Sequence, residues 1–535
     1  MIYKNTLKVY FAVYCAVAAL LLLSFSTRNG VGVGGDATIY MTSAQNLIEG
    51  RGLGLLRPDG EFRLIPYFPP FYSLVLAAFG KLGMNMTSAA GLINALCFAV
   101  MVFFITKWMV QKNKSLFPGL FFGVLLSGSP ILIPAFSWGM SEPLALMTGF
   151  LSLMLAEKYI EEKNPFALIA AGILAGLSFL TRYASVAFVV AGLIVLFCFA
   201  NKPFFKRLLS CVIFALLALI PMVIWLIIDM KQTQTIASRS LLEGWLTQEI
   251  LLFLSKLPNV FAVWFFPESW LLNGKIPAFL PSILAAAILF FPFFCLIFGC
   301  LFAKKEQLSH FQKRACRMLV IQSVFFICYM LVIGIVAVTT FPPITINSRM
   351  LLPAYVSFFW MVFLLLGLFL DNNLKNWLRV ITLILFGIFS VYSLIRGARI
   401  SQQNAIDGIG YNQAKWRESD LIDYLTKNED IDQVIVTNEE TALLYLSGRA
   451  SWPIHEIYVS MPDAEYYAYG DESIGEFDAG RKAFIAGDAL LVLFDTFEDQ
   501  MAEIYGTDAA SRIEALLDGL KVVYQGTDGT IYSMH

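Results

Sequence analysis

Long apolar runs dominate this 535-residue chain and constrain its fold more than any other feature. A membrane-spanning helix needs about 20 apolar residues. The predicted spans are residues 7–26, 87–106, 115–135, 142–157, 166–181, 184–200, 208–229, 279–303, 318–340, 350–370 and 379–396, eleven in all. Charged residues make up only 14% of the chain, against about 25% in soluble proteins. The sequence therefore predicts a polytopic α-helical membrane protein and excludes a disordered or nucleic-acid-binding chain.

Charge divides the chain into two predicted domains. Residues 1–396 carry a net charge of +15, whereas residues 397–535 carry −16 and have the charged fraction of an ordinary soluble domain. In this second part, strand patterns cover Val434–Thr437, Ile457–Val459, Ala489–Phe494, Val522–Gln525 and Thr530–Ser533, and helix patterns cover Trp416–Lys427 and Arg512–Leu520. We therefore expect a small C-terminal α/β soluble domain joined to a basic membrane domain.

Lysine and arginine in the loops predict the orientation. With a cytoplasmic N-terminus, the short inner loops contain 17 of these residues and the much longer outer loops contain 11, as the positive-inside rule requires. Eleven spans then place the C-terminal domain outside the cell, on the same side as the long outer segments 27–86 and 230–278. The prediction is a multi-pass plasma-membrane protein with an extracytoplasmic working surface.

The first outer segment contains a short predicted helix within residues 34–50, with Asp36 at its start and Gly50 at its end. The spacing places Tyr40 on the same helix face as Asp36. The structural interpretation of Asp36 is an N-cap, which also holds its carboxylate rigidly enough for chemistry. The proline-broken run 65–84 is predicted to lie at the membrane interface, where proline can start a second short helix.

Several spaced motifs follow one another along the chain on the predicted outer side. They are Asp36-x3-Tyr40-x3-Ala44-x2-Leu47-x2-Gly50, Pro69-Pro70-x-Tyr72, Ser141-Glu142-Pro143, Gly172-x3-Gly176-Leu177-x3-Thr181-Arg182-Tyr183, Arg349-x3-Pro353, and in the tail Trp416 and a Ser447-Gly448-Arg449 strand–turn. In this order they resemble GT-C-fold polyprenyl-phosphate-sugar glycosyltransferases, which include protein O-mannosyltransferases and lipid A aminoarabinose transferases. Mannosyltransferases commonly have Asp-Glu at the first motif, whereas this chain has Asp36-Ala37, which argues against a role for two adjacent carboxylates.

The resemblance implies transfer of a sugar, with inversion, from a polyprenyl phosphate to an extracytoplasmic acceptor. Asp36 is the implied general base, since a positioned carboxylate can take the proton of an acceptor hydroxyl. Arg182 and Arg349 fall at outer span ends and are the implied ligands of the donor phosphate, because a planar guanidinium can contact two phosphate oxygens. The structural alternative for both is a snorkelling anchor at the interface.

Four further residues are candidate substrate contacts. Glu142 begins a span on the outer side, where an ionisable residue indicates function by default; its alternative role is to complement the helix dipole. Tyr40, Tyr72 and Tyr183 are suited to packing against the sugar or the prenyl chain, with an aromatic belt as the alternative. The apolar segments 241–246 and 263–267 predict interfacial helices that cover the lipid tail.

No cofactor is expected, although the sequence leaves a divalent metal open. The three histidines are scattered and the eight cysteines form no metal-binding pair. Two other classes of function stay open: a transporter or flippase of a polyprenyl-linked glycan, and a non-catalytic membrane scaffold. The near absence of ionisable residues at mid-span positions favours the transferase over the transporter. The sequence leaves the sugar open, and the acceptor can be a protein, a lipid or a glycan.

Overall fold

Helices form most of the chain up to residue 407. The computed structural model describes residues 2–64, 68–112, 115–199, 203–233, 240–241, 246–303, 308–341, 346–370, 375–428, 433–454 and 478–534. The helices of the membrane domain are α1 Ile2–Ser26, α2 Gly35–Ile48, α3 Phe71–Lys81, α4 Met86–Lys112, α5 Phe117–Ser127, α6 Leu132–Phe136, α7 Glu142–Glu162, α8 Pro165–Phe179, α9 Val186–Phe199, α10 Phe204–Thr233, α11 Leu246–Ala262, α12 Glu268–Leu272, α13 Phe279–Ala303, α14 His310–Thr339, α15 Leu352–Leu370 and α16 Asn376–Asp407.

Seven helices in the described part of the chain are long and apolar enough to cross a membrane: α1, α4, α10, α13, α14, α15 and α16. They coincide with seven of the eleven predicted spans. The remaining four predicted spans coincide with shorter or more polar helices, namely α5 with α6, α7, α8 and α9. The chain is a multi-pass α-helical membrane protein, as predicted.

The predicted span 115–135 is interrupted. Helix α5 ends at Ser127, and α6 begins only at Leu132. The backbone of Gly128 lies so close to α16 that a Cβ atom there would stand 2.6 Å from the Cα atom of Leu394. The hydroxyl of Ser129 then accepts a hydrogen bond from the Leu132 amide at 3.1 Å. Apolar composition predicts a single helix here, but a backbone contact and a serine cap divide it.

The first outer segment folds into two short helices and a hairpin. Helix α2 confirms the helix predicted within residues 34–50, and α3 begins directly after Pro70, as the prolines predict. Between them, β1 Gly54–Leu56 pairs antiparallel with β2 Phe62–Leu64. A second small pair joins β3 Ser240–Leu241 to β4 Thr340–Phe341.

The second outer segment is described only in part. The predicted interfacial segment 241–246 lies largely outside the described residues, whereas α11 follows it with apolar side chains on its exposed and its buried faces. Residues 263–266 form a turn after α11 instead of an interfacial helix. Trp264 is buried there, with its ring 5.3 Å from the ring of Tyr355. Its size and apolarity make it an internal anchor between α11 and α15.

The C-terminal domain is a small α/β unit. Its strands are β5 Val434–Thr437, β6 Trp452–Pro453, β7 Ala489–Phe494, β8 Lys521–Gln525 and β9 Gly529–Ser533, and its helices are α17 Ala414–Arg417, α18 Asp420–Lys427, α19 Glu440–Ser447, α20 Asp478–Ala486, α21 Thr496–Tyr505 and α22 Ala509–Leu517. The sheet order is β6-β5-β7-β9-β8. Strand β5 is parallel to β6 and β7, and β9 is antiparallel to β7 and β8.

Four of the five predicted strands in this domain are confirmed to within one residue, and the fifth, Ile457–Val459, lies outside the described residues. The helix predicted over 416–427 is divided at Ser419, whose hydroxyl accepts a hydrogen bond from the Ile422 amide at 3.1 Å and starts α18. The strand–turn predicted at Ser447-Gly448-Arg449 is wrong. Ser447 ends α19, and Gly448 follows it with a φ of +73°, the left-handed conformation in which glycine ends helices.

The C-terminal domain contacts the first outer segment. Helix α16 continues through the predicted domain boundary at residue 396 and ends at Asp407. Just beyond it, the Asn412 side-chain amide donates to the Val31 carbonyl at 2.6 Å, and the Tyr445 hydroxyl donates to the Asn412 side-chain oxygen at 3.2 Å. The guanidinium of Arg57 stacks over the ring of Trp452 at 4.8 Å. The first outer segment and the tail therefore lie at the same end of the membrane domain.

Candidate active site

Asp36 lies in the first turn of α2 and is not its N-cap. The N-cap is Gly34, and no side chain caps this helix end. The N-cap interpretation of Asp36 is therefore wrong, although its carboxylate still complements the positive end of the helix dipole. The Asp36 Oδ2 atom accepts a hydrogen bond from Arg349 Nη2 at 3.1 Å. The side chain of Asp36 is 37% exposed, so a substrate hydroxyl can reach it.

Glu142 is the first residue of α7 and lies at the centre of the charged side chains. Its side chain is only 3% exposed. One carboxylate oxygen, Oε1, lies 2.8 Å from Arg182 Nη1 and 3.3 Å from Arg349 Nε. Both oxygens are buried, and beyond these ion pairs neither has a hydrogen-bond partner in the described part of the chain. A buried carboxylate needs compensation by cations, and the two arginines supply it.

The two arginines reach Glu142 from different parts of the chain. Arg182 has an extended backbone between α8 and the 3-10 helix Tyr183–Ser185, and its Nη1 atom also donates to the Ser141 hydroxyl at 3.2 Å. Arg349 stands in the turn before α15. About one third of each guanidinium side chain is exposed, 27% for Arg182 and 32% for Arg349. We call Asp36, Glu142, Arg182 and Arg349 the Asp36 cluster.

A small cavity adjoins the Asp36 cluster. Its polar wall consists of Glu142, Arg182 and Arg349, together with Tyr329 of α14. The remaining wall is mostly apolar and comes from α7, the 3-10 helix Tyr183–Ser185, the start of α9, the turn before α15 and the start of α15: Ala145, Leu146, Ala184, Ser185, Phe188, Met350 and Pro353. Two guanidinium side chains and several apolar side chains thus line one small cavity, a combination suited to a group that carries negative charge next to apolar surface.

The three predicted tyrosines lie behind or beside this cavity. Tyr40 and Tyr72 are buried in the contact between α2 and α3, with ring centres 5.1 Å apart. Burial raises the pKa of the Tyr40 phenol, and its hydroxyl shares a hydrogen bond with the Ser141 hydroxyl at 3.1 Å. Tyr183 is half-buried beside Arg182. Direct contact of these rings with a substrate stays a prediction, whereas Tyr40 holds Ser141 next to Arg182.

Sequence reasoning missed Tyr329 and the support that Ser141 gives to Arg182. Tyr329 lies within the apolar α14, and its hydroxyl donates to the Met350 carbonyl next to Arg349. A tyrosine in an apolar span carries no periodic signal that separates it from core aromatic residues. The sequence shows Ser141 only as part of a motif. In the structure, its hydroxyl joins Tyr40 to Arg182.

The charged groups of the Asp36 cluster sum to zero: two carboxylates and two guanidiniums. Among the described residues, no group of three or more histidine, cysteine or acidic side chains could hold a metal ion. The cluster can bind one anion at the arginines and hold one carboxylate in contact with solvent. This combination suits a displacement in which a hydroxyl loses a proton while an anionic group departs.

This chain is also similar to known membrane glycosyltransferases. Residues 68–225 match the family model described as dolichyl-phosphate-mannose-protein mannosyltransferase. This range includes Glu142 and Arg182 but neither Asp36 nor Arg349. A search of curated proteins by similarity finds no match.

Three solved structures have the same overall fold. The archaeal oligosaccharyltransferase AglB from Archaeoglobus fulgidus, in complex with an inhibitory peptide and a dolichol-phosphate, aligns at TM-score 0.58 and 12% identity, over 100% of this chain and 75% of its own. ArnT from Cupriavidus metallidurans, bound to undecaprenyl phosphate, aligns at 0.51 and 13%, over 98% of both chains. The arabinofuranosyltransferase AftD from Mycobacteria aligns at 0.51 and 13%, over 98% of this chain and 40% of its own. The resemblance inferred from the motifs is confirmed: this membrane protein has the GT-C fold of the glycosyltransferases that use polyprenyl-phosphate-linked sugars.

Proposed function

We propose that the protein transfers a sugar from a polyprenyl-phosphate donor to an extracytoplasmic acceptor, with inversion at the anomeric carbon. The observation that carries this proposal is the meeting of one exposed carboxylate, Asp36, with two partly exposed guanidiniums, Arg182 and Arg349, beside a cavity with apolar walls. A donor of this class has an anionic phosphate next to a long apolar chain, and the cavity offers a complementary surface for each part.

In the proposed step, the acceptor oxygen forms a bond to the anomeric carbon while its proton passes to the Asp36 carboxylate. The bond between that carbon and the phosphate oxygen breaks, and its electron pair stays on the phosphate. The leaving group is a phosphate monoester, with a second pKa of about 6, so it can depart as a dianion without a protein acid. Arg182 and Arg349 stabilise the charge that grows on its oxygens.

Glu142 has a positioning role in this proposal. It contacts both guanidiniums through one oxygen and is almost fully buried. It therefore holds two mutually repelling cations side by side at the position where the phosphate is needed. None of the described residues donates a hydrogen bond to its second oxygen, Oε2, and Glu142 lines the cavity, so a hydroxyl of the donor sugar can donate to this oxygen.

We propose that the reaction proceeds without a cofactor, because the two arginines already supply positive charge at the departing phosphate. Transfer by purified protein should then survive an excess of a divalent-metal chelator. We also propose that the N-terminus is cytoplasmic and the C-terminal domain extracytoplasmic. Reporter fusions placed after Asp407, the last residue of α16, should behave as exported. Cytoplasmic reporter activity there would contradict the proposed side of the reaction.

The decisive experiment separates the chemical role of Asp36 from its structural role. Asp36→Asn keeps the shape of the side chain but cannot take a proton at neutral pH. Transfer from a polyprenyl-phosphate sugar should fall by about 10²–10⁴-fold, while thermal stability changes little because the lost ion pair is partly exposed. Glu49→Gln is the matched control, since it removes a carboxylate from the end of the same helix. Transfer by Asp36→Asn within a few-fold of the parent would reject Asp36 as the base.

A further inference from the structure

We infer that Asp36 and the donor phosphate compete for Arg349, so that donor binding releases the base. This inference rests on the proposed function. Without substrate, Arg349 Nη2 binds the Asp36 carboxylate at 3.1 Å. While this contact lasts, Asp36 Oδ2 is occupied by the guanidinium and is less accessible to the proton of an acceptor hydroxyl. The structure therefore shows the base engaged by Arg349, and a second anion at Arg349 would release it.

The three nitrogen atoms of Arg349 have unequal partners. Nε faces Glu142 Oε1 at 3.3 Å, on the buried side of the cluster. Nη2 faces Asp36, and the one contact of Nη1 among the described residues is the sulfur of Met140 at 3.7 Å. The contact with the buried Glu142 thus holds Arg349 in place. The two terminal nitrogens face the partly exposed Asp36 carboxylate and the Met140 sulfur, which is a weak acceptor. Phosphate often binds arginine through two parallel N–H donors, and at the Nη1–Nη2 pair it would meet the Asp36 carboxylate as a second anion on Nη2.

The burial of the two acids predicts which contact breaks. Glu142 is 3% exposed and is bound to Arg182 as well, so separating it from the arginines would leave a buried charge uncompensated. Asp36 is 37% exposed, so water can solvate its carboxylate as soon as Arg349 leaves. The exchange changes no covalent bond. It moves one guanidinium contact from a carboxylate to a phosphate and leaves Asp36 free for the acceptor hydroxyl.

The exchange also makes the release of Asp36 depend on a substrate that carries a phosphate. A molecule without a phosphate cannot compete for Arg349, so Asp36 stays paired and water near it is not activated. The proposal therefore predicts that the base becomes available only when the donor is in place.

The test measures the binding of undecaprenyl phosphate and of undecaprenol to the full chain in nanodiscs. In Asp36→Asn, Arg349 no longer has a competing carboxylate, so undecaprenyl phosphate should bind about two- to fivefold more tightly, the range expected for a partly exposed ion pair. Glu49→Gln removes one negative charge from the same helix and should leave this affinity unchanged.

A double substitution separates competition from general electrostatics. If Asp36 acts through Arg349, the gain from Asp36→Asn should disappear when Arg349→Gln is also present. If it acts only as a nearby negative charge, the gain should persist, and the inference would be overturned. Since Arg349→Gln can fail to fold, a structure of the unmodified protein with undecaprenyl phosphate provides the second test: the distance between Arg349 Nη2 and Asp36 Oδ2 should exceed 4 Å. An intact pair beside bound phosphate would overturn the inference.

The outcomes also separate this inference from the proposed function. If the unmodified protein binds undecaprenyl phosphate no better than undecaprenol, the phosphate site and the proposed function both fail. If it prefers the phosphate but Asp36→Asn brings no gain, the proposed function stands and only the competition for Arg349 is rejected.

Discussion

Two clusters, each of two acids and two arginines, lie at opposite ends of one helix, α7. They differ in how far their side chains are buried. The Asp36 cluster is built on Glu142, the first residue of α7. A second cluster, which we call the Glu157 cluster, joins Glu157 and Glu161 near the end of α7 to Arg314 and Arg317 of α14. Both clusters are electrically neutral, so charge alone does not distinguish a binding site from a structural contact.

Burial distinguishes them. In the Glu157 cluster, the exposed fractions are 1% for Glu157, 8% for Arg314, 12% for Glu161 and 23% for Arg317, and both arginines contact both carboxylates. In the Asp36 cluster, only Glu142 is comparably buried, and its three partners are each about one third exposed. A closed cluster fastens two helices and leaves little room for a ligand. The open one exposes the Asp36 carboxylate to solvent and presents two guanidiniums to the adjoining cavity.

The largest expected effect is on stability and comes from the closed cluster. Glu157→Ala leaves Arg314 and Arg317 with only Glu161, and we expect the free energy of unfolding to fall by about 3–5 kcal/mol, as when one partner of a buried pair is removed. Asp36→Ala removes a partly exposed pair and should cost about 1 kcal/mol or less. Denaturant unfolding of both variants in the same detergent checks this. Equal losses would show that the two clusters are not distinct.

The next largest effect comes from removing a whole pair. Glu157→Leu combined with Arg314→Leu replaces an ion pair by apolar side chains and leaves Glu161 with Arg317, so it should restore at least half of the stability that either single change removes. A double-mutant cycle measures this recovery. The matching double substitution in the Asp36 cluster, Glu142→Leu with Arg182→Leu, should preserve folding. It should abolish transfer, because the donor phosphate loses a ligand. Retained transfer in that double variant would contradict the proposed phosphate site.

A smaller effect is expected from salt. Raising ionic strength from about 0.05 to 0.5 M shortens the screening length from above 10 Å to below 5 Å. Binding of undecaprenyl phosphate at the partly exposed arginines should therefore weaken by a few-fold. The stability lost in Glu157→Ala should change little, since buried pairs are poorly screened. Titrations and unfolding curves at both salt concentrations check the contrast, which similar salt responses would contradict.

The smallest effect concerns a carboxylate whose hydrogen-bond partners are neutral side chains. In the C-terminal domain, Glu439 accepts hydrogen bonds from the Thr496 hydroxyl at 2.8 Å and the Gln500 amide at 3.2 Å. Burial raises the pKa of Glu439. The folded state therefore binds more protons than the unfolded state between the ordinary value of about 4.5 and the raised one, and stability falls as pH rises through this window.

Glu439→Gln keeps the accepting oxygen but removes the charge. Hydrogen exchange of the C-terminal peptides in the full chain should be slower in this variant than in the parent at pH 7, and the difference should vanish below about pH 4.5. The exposed Glu498→Gln should have no such effect. Faster exchange in Glu439→Gln at pH 7 would mean that the carboxylate stabilises the folded domain after all.

Much of the membrane fold was predictable, because the apolar runs are a local property of the sequence. The strands of the C-terminal domain were predictable for the same reason: β5 and β7 are apolar runs of the expected length. The break between α5 and α6 was not, since it depends on the contact of Gly128 with α16. The role of Asp36 as an N-cap was predicted wrongly, because a helix start inferred from residue types is uncertain by one or two residues.

The sequence by itself determined which residues of the site carry charge, and that Glu142, Arg182 and Arg349 fall near span ends. It did not determine their partners, because Asp36, Glu142, Arg182 and Arg349 belong to four separate segments of the chain. Only the tertiary structure decided that Glu142 holds both arginines and that Arg349 binds Asp36. The physical reason is that the strength of an ion pair depends on distance and burial, and both are set by how α2, α7, α8 and α15 pack.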